Sequence, residues 1–289
     1  MASLIGPVAV IGLGAIGGSV AQALVRAPVR VCAYATSDAD VAGARDAGID
    51  VAPDIRTCVA NATVVLIAVP LSAHAAVAAD VVTAAPRDAV LFHAGSLQDA
   101  RALAAAAAPP GVDTGTLRRV IGTHPLAGSH RAGFTAADAS LFAGCTVSIE
   151  ARAGRDARKT AEELWRATGA RRFEYRPAEE HDQLMTWVSH LPQLASIALA
   201  GAIAEAGIAS SALGPGGRDA TRLAASSFDV WNGILAGAGP EAARAAAALE
   251  RSVGALRSAL ESADMEAIER MWAAARTWRE AAAFADNHA

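Results

Sequence analysis

His124 is the residue of this sequence best placed for proton transfer. It lies within residues 121–130, IGTHPLAGSH, directly after a short apolar segment that predicts a strand. Glycine and proline on both sides of the histidine predict that the strand ends there and that a loop carries the imidazole. An ordinary imidazole pKa of about 6.5 suits a group that accepts or donates a proton near neutral pH. The alternative is that His124 only completes a hydrogen bond within a turn.

Residues 8–19 carry the signature of a dinucleotide site. The apolar run VAVI predicts a strand buried on both faces, and it leads at once into GLGAIGGS and an apolar helix. In that setting the first glycine permits a tight turn, the second lets the backbone approach a diphosphate, and the third lets helix and strand pack closely. The diphosphate then lies at the helix N-terminus. We therefore expect a nicotinamide dinucleotide to be bound by Gly12, Leu13, Gly14, Ala15, Ile16 and Gly17.

The end of the second predicted strand bears on the choice between NAD and NADP. An acidic residue at this place binds the ribose hydroxyls of NAD, but the chain has Ala35, Thr36 and Ser37 there and no acid until Asp38. Without the acid, the 2′-phosphate of NADP is not repelled, and Thr36 and Ser37 offer it hydrogen bonds. Arg45 on the following helix is a nearby basic residue. The sequence favours NADP, and NAD with Asp38 as the acid is the alternative.

Strand, turn and helix alternate through the first half of the chain. This alternation predicts an α/β fold with a Rossmann-type doubly wound parallel sheet. In such sheets the ligand lies beyond the carboxyl ends of the strands. One crevice should therefore be lined by the strand-end loops at Gly12, Ala35, Val69, Pro70, Ser96 and His124.

Residues 177–289 predict a second, all-helical domain for substrate binding and dimerisation, after a dinucleotide-binding domain at 1–176. Helices are predicted over 178–206, 218–225, 229–236, 241–262 and 265–284. The segment 183–204 contains no Asp, Glu, Lys or Arg. A helix this apolar must be covered by its own domain or by a partner subunit, which indicates a homodimer. Its polar residues, among them His190, favour a buried helix over a membrane span.

Composition excludes several other classes. The chain has 289 residues and a formal net charge of −4, without the basic excess of a nucleic-acid-binding protein. Cys32, Cys58 and Cys145 are odd in number and widely spaced, which argues against a disulfide framework or a cysteine metal site and favours a reducing cytoplasm. The N-terminus has no basic signal-peptide region.

Several motifs follow one another in a recognisable order. After GLGAIGGS they are AVP at 68–70, GS at 95–96, HPLAGS at 124–129, LFAG at 141–144, HD at 181–182, SHLP at 189–192 and RDATRLA at 218–224, followed by Trp231. In this order and spacing, from residue 8 to about 235, the chain resembles the prephenate and arogenate dehydrogenases of tyrosine biosynthesis. The glycine loop is common to many dehydrogenases, whereas the combination of the three later His- and Arg-containing motifs is specific.

The resemblance implies an NAD(P)-dependent oxidative decarboxylation of a cyclohexadienol, namely arogenate to tyrosine, prephenate to 4-hydroxyphenylpyruvate, or both. Hydride leaves C4 for the nicotinamide, a histidine takes the hydroxyl proton, carbon dioxide is lost and the ring becomes aromatic. His124 matches that histidine, and Ser96 would lie between it and the substrate hydroxyl, orienting both. Arg222 matches the residue that binds the substrate carboxylate with its planar, bidentate guanidinium.

Other residues of the motifs receive less defined roles from the resemblance. Arg218 either assists Arg222 or holds the loop through a neighbour. Trp231 forms a wall of the substrate pocket or part of the dimer core. His181 and His190 are interpreted as structural histidines of the helix.

The chain departs from the family pattern at three places near the expected ligands. Gln193 follows the SHLP motif where prephenate-using members often carry a second histidine, and His130 stands where many members carry an acid. Both side chains are expected to contact the substrate. Together with Ala35, these differences favour arogenate with NADP. The alternative is a relative in specialised metabolism that acts on a modified prephenate.

Two further classes compete with this interpretation. Other two-domain dehydrogenases, such as 3-hydroxyacid dehydrogenases and imine reductases, usually place a catalytic Lys or Asp on the interdomain helix, but Lys159 is the only lysine and precedes that helix. A non-catalytic dinucleotide-sensing protein would have no need of His124, Ser96 and Arg222 together.

Overall fold

An eight-stranded sheet forms the centre of the first half of the chain. The computed structural model describes residues 6–106, 114–128 and 132–286. The strands are β1 (Val8–Ile11), β2 (Val31–Tyr34), β3 (Asp50–Val51), β4 (Val64–Ile67), β5 (Val90–His93), β6 (Ile121–Pro125), β7 (Thr146–Glu150) and β8 (Arg172–Arg176). Their order is β3-β2-β1-β4-β5-β6-β7-β8. The described pairs are parallel except β6 with β7, which is antiparallel, so the sheet is mostly rather than wholly parallel.

Helices cover both faces of this sheet. The helices are α1 (Ala15–Arg26), α2 (Asp38–Asp46), α3 (Ile55–Val59), α4 (Leu71–Ala84), α5 (Ala100–Ala106), α6 (Thr114–Leu117) and α7 (Arg155–Ala167). One core cluster joins one face of the sheet to α1, α2 and α7, and a second joins the other face to α3, α4, α5 and α6. Because successive strand residues point to opposite faces, Val8 and Val10 belong to the first cluster and Ala9 and Ile11 to the second. This accounts for the uninterrupted apolar run of β1.

The structure corrects the prediction that a loop carries His124. The residue lies inside β6, whose first half pairs with β5 and whose second half pairs with β7, with His124 opposite Ser148. Cross-strand pairing therefore overrides the local preference of the glycine and proline. Gly122 serves close packing here, because a Cβ at this position would lie 2.8 Å from the Gln98 side chain.

A continuous helical run opens the second half of the chain. It consists of α8 (Ala178–Met185), a π-helical turn (Thr186–His190) and α9 (Leu191–Glu205). This confirms the predicted long helix. The irregularity falls just before Pro192, which lacks an N–H and cannot complete a regular helical hydrogen bond.

The rest of this half contains α10 (Pro215–Thr221), a 3₁₀ turn (Arg222–Ala225), α11 (Phe228–Glu261) and α12 (Met265–Asp286). The prediction of separate helices over 229–236 and 241–262 is wrong, because α11 passes through Pro240 without ending. Gly237 does not break the helix. A Cβ there would lie 2.5 Å from Leu97 Cδ1 and 2.6 Å from the Ala102 oxygen, so this glycine lets α11 pack closely on α5.

The run Ala178–Glu205 is long and apolar enough, by length and composition, to cross a membrane, but only 17% of its most apolar window is buried within the chain. One such helix is weak support for a span, because core helices meet the same criterion. Its exposed apolar side chains include Trp187 and Val188. The expectation that this helix is buried is therefore not met within a single chain.

Candidate functional site

The glycine loop after β1 has the backbone geometry of a diphosphate cradle. Gly12 has a φ of +99°, and a Cβ there would lie 2.5 Å from the Ala68 oxygen, so only glycine fits. A Cβ on Gly17 would collide with the Gly12 carbonyl. Gly14, the N-cap of α1, has open space around it and no side chain caps the helix. The first N–H groups of α1, from Ala15 and Ile16 onward, are thus available to an anion.

Other residues expected at the cofactor lie at neighbouring strand ends. Val69 and Pro70 follow β4, beside β1 in the sheet. Leu13 is 1% exposed, so only its backbone can contact the dinucleotide.

The adenosine-ribose end, beyond β2, has one exposed acid near it. Ala35 is half-buried, and Thr36, Ser37 and Asp38 are exposed. The Ser37 hydroxyl accepts the Asp40 N–H as the N-cap of α2, which leaves its own proton for a ligand. Arg45 lies in the last turn of α2, at the opposite end of the helix from this site. It is therefore not a neighbour of a ribose phosphate.

His124 belongs to a hydrogen-bonded relay of three side chains. Its Nδ1 lies 3.0 Å from Nε2 of His181, and Nδ1 of His181 lies 2.8 Å from Oδ1 of Asp182. The two imidazole rings are nearly perpendicular, at 78°. His181 is fully buried and Asp182 is largely buried. The sheet supplies the first member and the start of α8 supplies the other two.

The relay fixes the tautomer of His124. A carboxylate only accepts hydrogen bonds, so Nδ1 of His181 carries the proton and Nε2 of His181, in the neutral ring, is an acceptor. Nδ1 of His124 must then donate to it. Nε2 of His124 is left unprotonated, which is the form required of a general base.

Burial keeps His124 neutral. Removal from water is the main cause that lowers the pKa of His124 to about 3, and the neighbouring imidazoles of His181 and His190 make smaller contributions to the same shift. The residue therefore enters a reaction at neutral pH as an uncharged acceptor.

Asp182 also ties α8 to the loop that follows β5. Its two carboxylate oxygens accept the N–H groups of Gln98 at 2.8 Å and Asp99 at 2.9 Å. Ser96 lies two residues earlier, half-buried in a bend at the end of β5. The structure describes both Ser96 and His124, and no hydrogen bond joins them directly, although they lie near the ends of the adjacent strands β5 and β6.

The two arginines of the RDATR motif occupy different environments. Arg222 begins the 3₁₀ turn after α10 and is exposed, and it forms no ion pair with residues 6–106, 114–128 or 132–286. Its guanidinium is thus available for a carboxylate. Nη1 of Arg218 donates to the Leu213 carbonyl at 2.5 Å. Arg218 therefore holds the segment before α10, one of the two roles expected for it.

Gln193 lies in a different setting from the one expected. Its amide is 2% exposed; Nε2 donates to the Leu223 carbonyl at 2.9 Å, and Oε1 accepts the Ser226 hydroxyl at 3.5 Å. Ser196, one turn further along α9, accepts the Ala224 N–H at 3.1 Å. Gln193 thus holds the turn that begins with Arg222 instead of presenting a free amide to substrate.

Trp231 and His190 pack against each other where α11 meets the long helical run. The Trp231 ring, half-buried on α11, meets the buried His190 ring edge-on at 5.9 Å between centroids. His130, expected at the substrate, lies outside the described residues.

Sequence reasoning missed the roles of His181 and Asp182. They are adjacent in the sequence, and no local sequence pattern predicts that the end of β6 packs against them. Their presence among the family-like motifs was the available signal.

Two family models match the chain consecutively. One, "Prephenate dehydrogenase, nucleotide-binding domain", matches residues 20–174, and the other, "Prephenate dehydrogenase, dimerization domain", matches residues 177–274. They cover His124 of the sheet and His181 and Asp182 of α8, whereas the glycine loop at 12–17 lies before the first matched residue.

Sequence relatives and solved structures agree with these matches. The chain is 31% identical to a cyclohexadienyl dehydrogenase of Zymomonas mobilis over 79% of each chain, and 28% identical to a prephenate dehydrogenase of Lactococcus lactis over 78% of this chain and 63% of the other. It shares its fold with prephenate dehydrogenase of Aquifex aeolicus, solved with hydroxyphenyl propionate and NAD+, at a TM-score of 0.82, 22% identity and coverage of 97% and 99%. The glycine loop, the relay and both family models lead to one conclusion: the chain belongs to the prephenate dehydrogenase family.

Proposed function

We propose that the chain catalyses the NAD(P)-dependent oxidative decarboxylation of a cyclohexadienol, with His124 as the base that takes the C4 hydroxyl proton. The observation that carries this proposal is the relay, because it leaves Nε2 of His124 unprotonated at the carboxyl edge of a dinucleotide-binding sheet. The bound nicotinamide supplies the hydride acceptor. The substrate carboxylate leaves as carbon dioxide, and the ring becomes aromatic.

The protein's contribution is orientation and proton transfer. The loop from Gly12 to Gly17 and the N-terminus of α1 hold the diphosphate, since their N–H groups are uncapped. Ser96, in the bend that follows β5, the strand next to β6, orients the substrate hydroxyl. Arg222 binds the substrate carboxylate, supported by its exposed, unpaired guanidinium within the described part of the chain.

The reaction is tested by supplying prephenate and arogenate, each with NAD and with NADP, and following the absorbance of the reduced nicotinamide. We expect turnover in at least one combination. His124→Asn should retain dinucleotide binding and lose most of its turnover, and Arg222→Ala should mainly raise KM for the substrate. Silence of the wild type in all four combinations, or a near-normal kcat for His124→Asn, would contradict the proposal.

We propose arogenate as the preferred substrate. The support is the absence of a cationic side chain at position 193. Gln193 is an uncharged amide, so it brings no positive charge to the keto-acid side chain of prephenate. Its two polar atoms are already hydrogen-bonded to Leu223 and Ser226. A higher kcat/KM for arogenate is expected. Preference for prephenate would overturn this choice, and activity only with a side-chain-modified prephenate would indicate specialised metabolism.

For the cofactor, we propose NADP over NAD. Ala35 leaves the end of β2 without a ribose-binding acid, and the Thr36 and Ser37 hydroxyls are exposed at the N-terminus of α2. Asp38 acts in the opposite direction. Replacing Asp38 with Asn should therefore lower KM for NADP and raise it for NAD, and an unchanged ratio of the two KM values would contradict this placement.

We also propose that the chain is a cytoplasmic homodimer built from a dinucleotide-binding domain at 1–176 and a helical substrate and dimerisation domain at 177–289. The single chain exposes 16150 Å², whereas a compact monomer of 29.2 kDa exposes about 11,500 Å². Large apolar side chains remain exposed on the helices, including Trp187 on the π-helical turn and Trp272 on α12. Light scattering should give twice the chain mass, and Trp187→Glu should shift it toward monomer.

A further inference from the structure

A second buried histidine, His93, lies beside the relay without belonging to it. It is the last residue of β5 and is 1% exposed. Its Nδ1 accepts the N–H of Gly95 at 3.1 Å. Gly95 directly precedes Ser96, so the imidazole of His93 fastens the start of the turn that carries the Ser96 hydroxyl.

The backbone of His93 reaches the other catalytic strand. Its carbonyl accepts the Thr123 hydroxyl at 2.7 Å, and Thr123 precedes His124 in β6. One residue is thus bonded to the immediate neighbours of both Ser96 and His124. The register of β5 and β6 pairs His93 with Gly122, so the His93 and His124 side chains point to the same face of the sheet.

The local packing holds this imidazole in one orientation. The His74 ring of α4 meets it edge-on, with centroids 4.7 Å apart. A Cβ at position 95 would lie only 3.0 Å from Nδ1 of His93 and 3.1 Å from Leu71 Cδ2. The absence of a side chain at Gly95 is therefore what lets the turn fold over the ring.

His93 must be neutral to accept the Gly95 N–H at Nδ1, and its proton is then on Nε2. Burial lowers the pKa of His93 well below its ordinary value, and the imidazoles of His74, His124 and His181 act in the same direction. The acceptor is therefore present at neutral pH.

We propose that His93 is a positioning residue of the dehydrogenase: its Nδ1 sets the conformation of the Gly95–Ser96 turn and so places the Ser96 hydroxyl relative to His124. This inference rests on the proposed function, because it gives His93 a role in that reaction. The competing account is that His93 only fills space between β5 and α4.

Three substitutions separate the two accounts. Asn at position 93 offers an amide oxygen where Nδ1 lies, Gln offers its oxygen near the place of Nε2 instead, and Leu fills similar space without an acceptor. His74→Leu is the control, since it changes the adjoining ring without removing the Gly95 acceptor. We expect His93→Leu and His93→Gln to lower kcat about 10-fold, the scale of one lost hydrogen bond. His93→Asn should stay within about 3-fold of the wild type by the same reasoning.

A double-mutant cycle with Ser96→Ala gives a readout that a packing role would not produce. If His93 acts through Ser96, His93→Leu should cause little further loss of kcat in a Ser96→Ala background. Full additivity, or equal kcat for His93→Asn and His93→Gln, would overturn the proposal. Dinucleotide Kd and Tm are measured for each variant; if His93→Leu does not fold, the Asn and Gln pair decides.

The wild-type measurement distinguishes the two levels of inference. A wild type inactive on every substrate and cofactor combination would remove the proposed function and this inference with it. An active wild type whose position-93 variants behave alike would remove only the role of His93.

Discussion

The position of one proton decides whether His124 can act as a base. An imidazole protonated on Nε2 would offer the substrate hydroxyl a donor where an acceptor is needed. Asp182 prevents this at a distance, because its hydrogen bond fixes His181, and His181 in turn fixes His124. A carboxylate that is separated from His124 by another side chain thereby sets which nitrogen of His124 carries the proton.

Asp182→Asn should test this arrangement. With its oxygen at the place of Oδ2, the amide still accepts the Asp99 N–H. Its nitrogen then stands in place of Oδ1, so the Gln98 N–H loses its acceptor and the nitrogen can donate to His181, which reverses the tautomer of both imidazoles. We expect kcat to fall by about 100-fold or more, the scale seen when a carboxylate that orients a catalytic histidine is neutralised. Dinucleotide Kd should be unchanged.

The matched control is Asp54→Asn, a change at an exposed N-cap of α3 far along the chain from the relay. It should leave kcat unaltered. A kcat for Asp182→Asn within about 3-fold of the wild type would show that the tautomer is set some other way.

The Arg222 turn illustrates control at the level of an element. Gln193 and Ser196 on α9 make three hydrogen bonds to residues 223–226, two to the backbone at Leu223 and Ala224 and one to the Ser226 hydroxyl. Gln193→Leu keeps the side-chain volume and removes two of these bonds. We expect KM for the substrate to rise about 10-fold with a smaller change in kcat, since a lost buried hydrogen bond costs about 1 kcal/mol.

Ser196→Ala removes only the third bond and should shift KM in the same direction by a smaller factor. Steady-state kinetics with saturating dinucleotide measure both effects. If Gln193→Leu left KM unchanged while lowering kcat, the amide would have a role nearer the reacting atoms.

Two glycines of α11 provide an internal comparison. Gly237→Ala gains helix propensity of about 1 kcal/mol, but its methyl group would lie against Leu97 and Ala102 of the first domain. We expect a net loss of about 1–3 kcal/mol in the free energy of unfolding, as for other overpacked sites. Urea denaturation measures it.

Gly239→Ala is the control, because no heavy atom lies within 4 Å of its added Cβ. It should stabilise the chain by up to about 1 kcal/mol. Equal effects of the two substitutions would mean that α11 does not pack on α5 as described.

Local sequence predicts those elements whose conformation is set by their own residues. The apolar runs of β1 and β4 and the glycine loop predict their own structure, because buried parallel strands and a phosphate turn constrain their own residues. The strand β6 and the unbroken α11 could not be predicted in this way. Antiparallel pairing with β7 extends β6 through Pro125, and packing on α5 carries α11 past Gly237 and Pro240.

The candidate site follows the same division. His124, Ser96 and Arg222 could be proposed from motif order, whereas the relay could not, since 57 residues separate His124 from His181. The hydrogen bonds of Gln193 to Leu223 and Ser226 could not be predicted either, since they depend on how the turn after α10 packs against α9.

For the whole molecule, the buried histidines make stability depend on pH. Burial lowers the pKa of His74 to about 4 and of His124 to about 3, and it also lowers the pKa of His93 and His190. In the unfolded chain each has an ordinary pKa of about 6.5. Above about pH 6.5 these histidines are neutral in both the folded and the unfolded chain. As the pH falls from about 6.5 toward the pKa values of the folded state, only the unfolded chain takes up protons, so the free energy of unfolding decreases.

We expect the free energy of unfolding to decrease from pH 7.5 to pH 5. One such histidine contributes up to about 1.4 kcal/mol per pH unit below 6.5. His74→Leu should show a shallower dependence than the wild type in urea denaturation at several pH values. An identical slope for the two proteins would mean that His74 takes up its proton in the folded state as well.

The helical run from Ala178 to Glu205 connects two regions of the molecule mechanically. Its 28 residues form a rod about 42 Å long, with His181 and Asp182 near one end and exposed apolar side chains of α9, such as Ile197 and Leu199, toward the other. Because the run is continuous, a tilt imposed at the α9 end would also displace His181 and Asp182 at the α8 end. We therefore expect substitutions on that outer surface to change turnover without altering any residue that is proposed to contact the ligands.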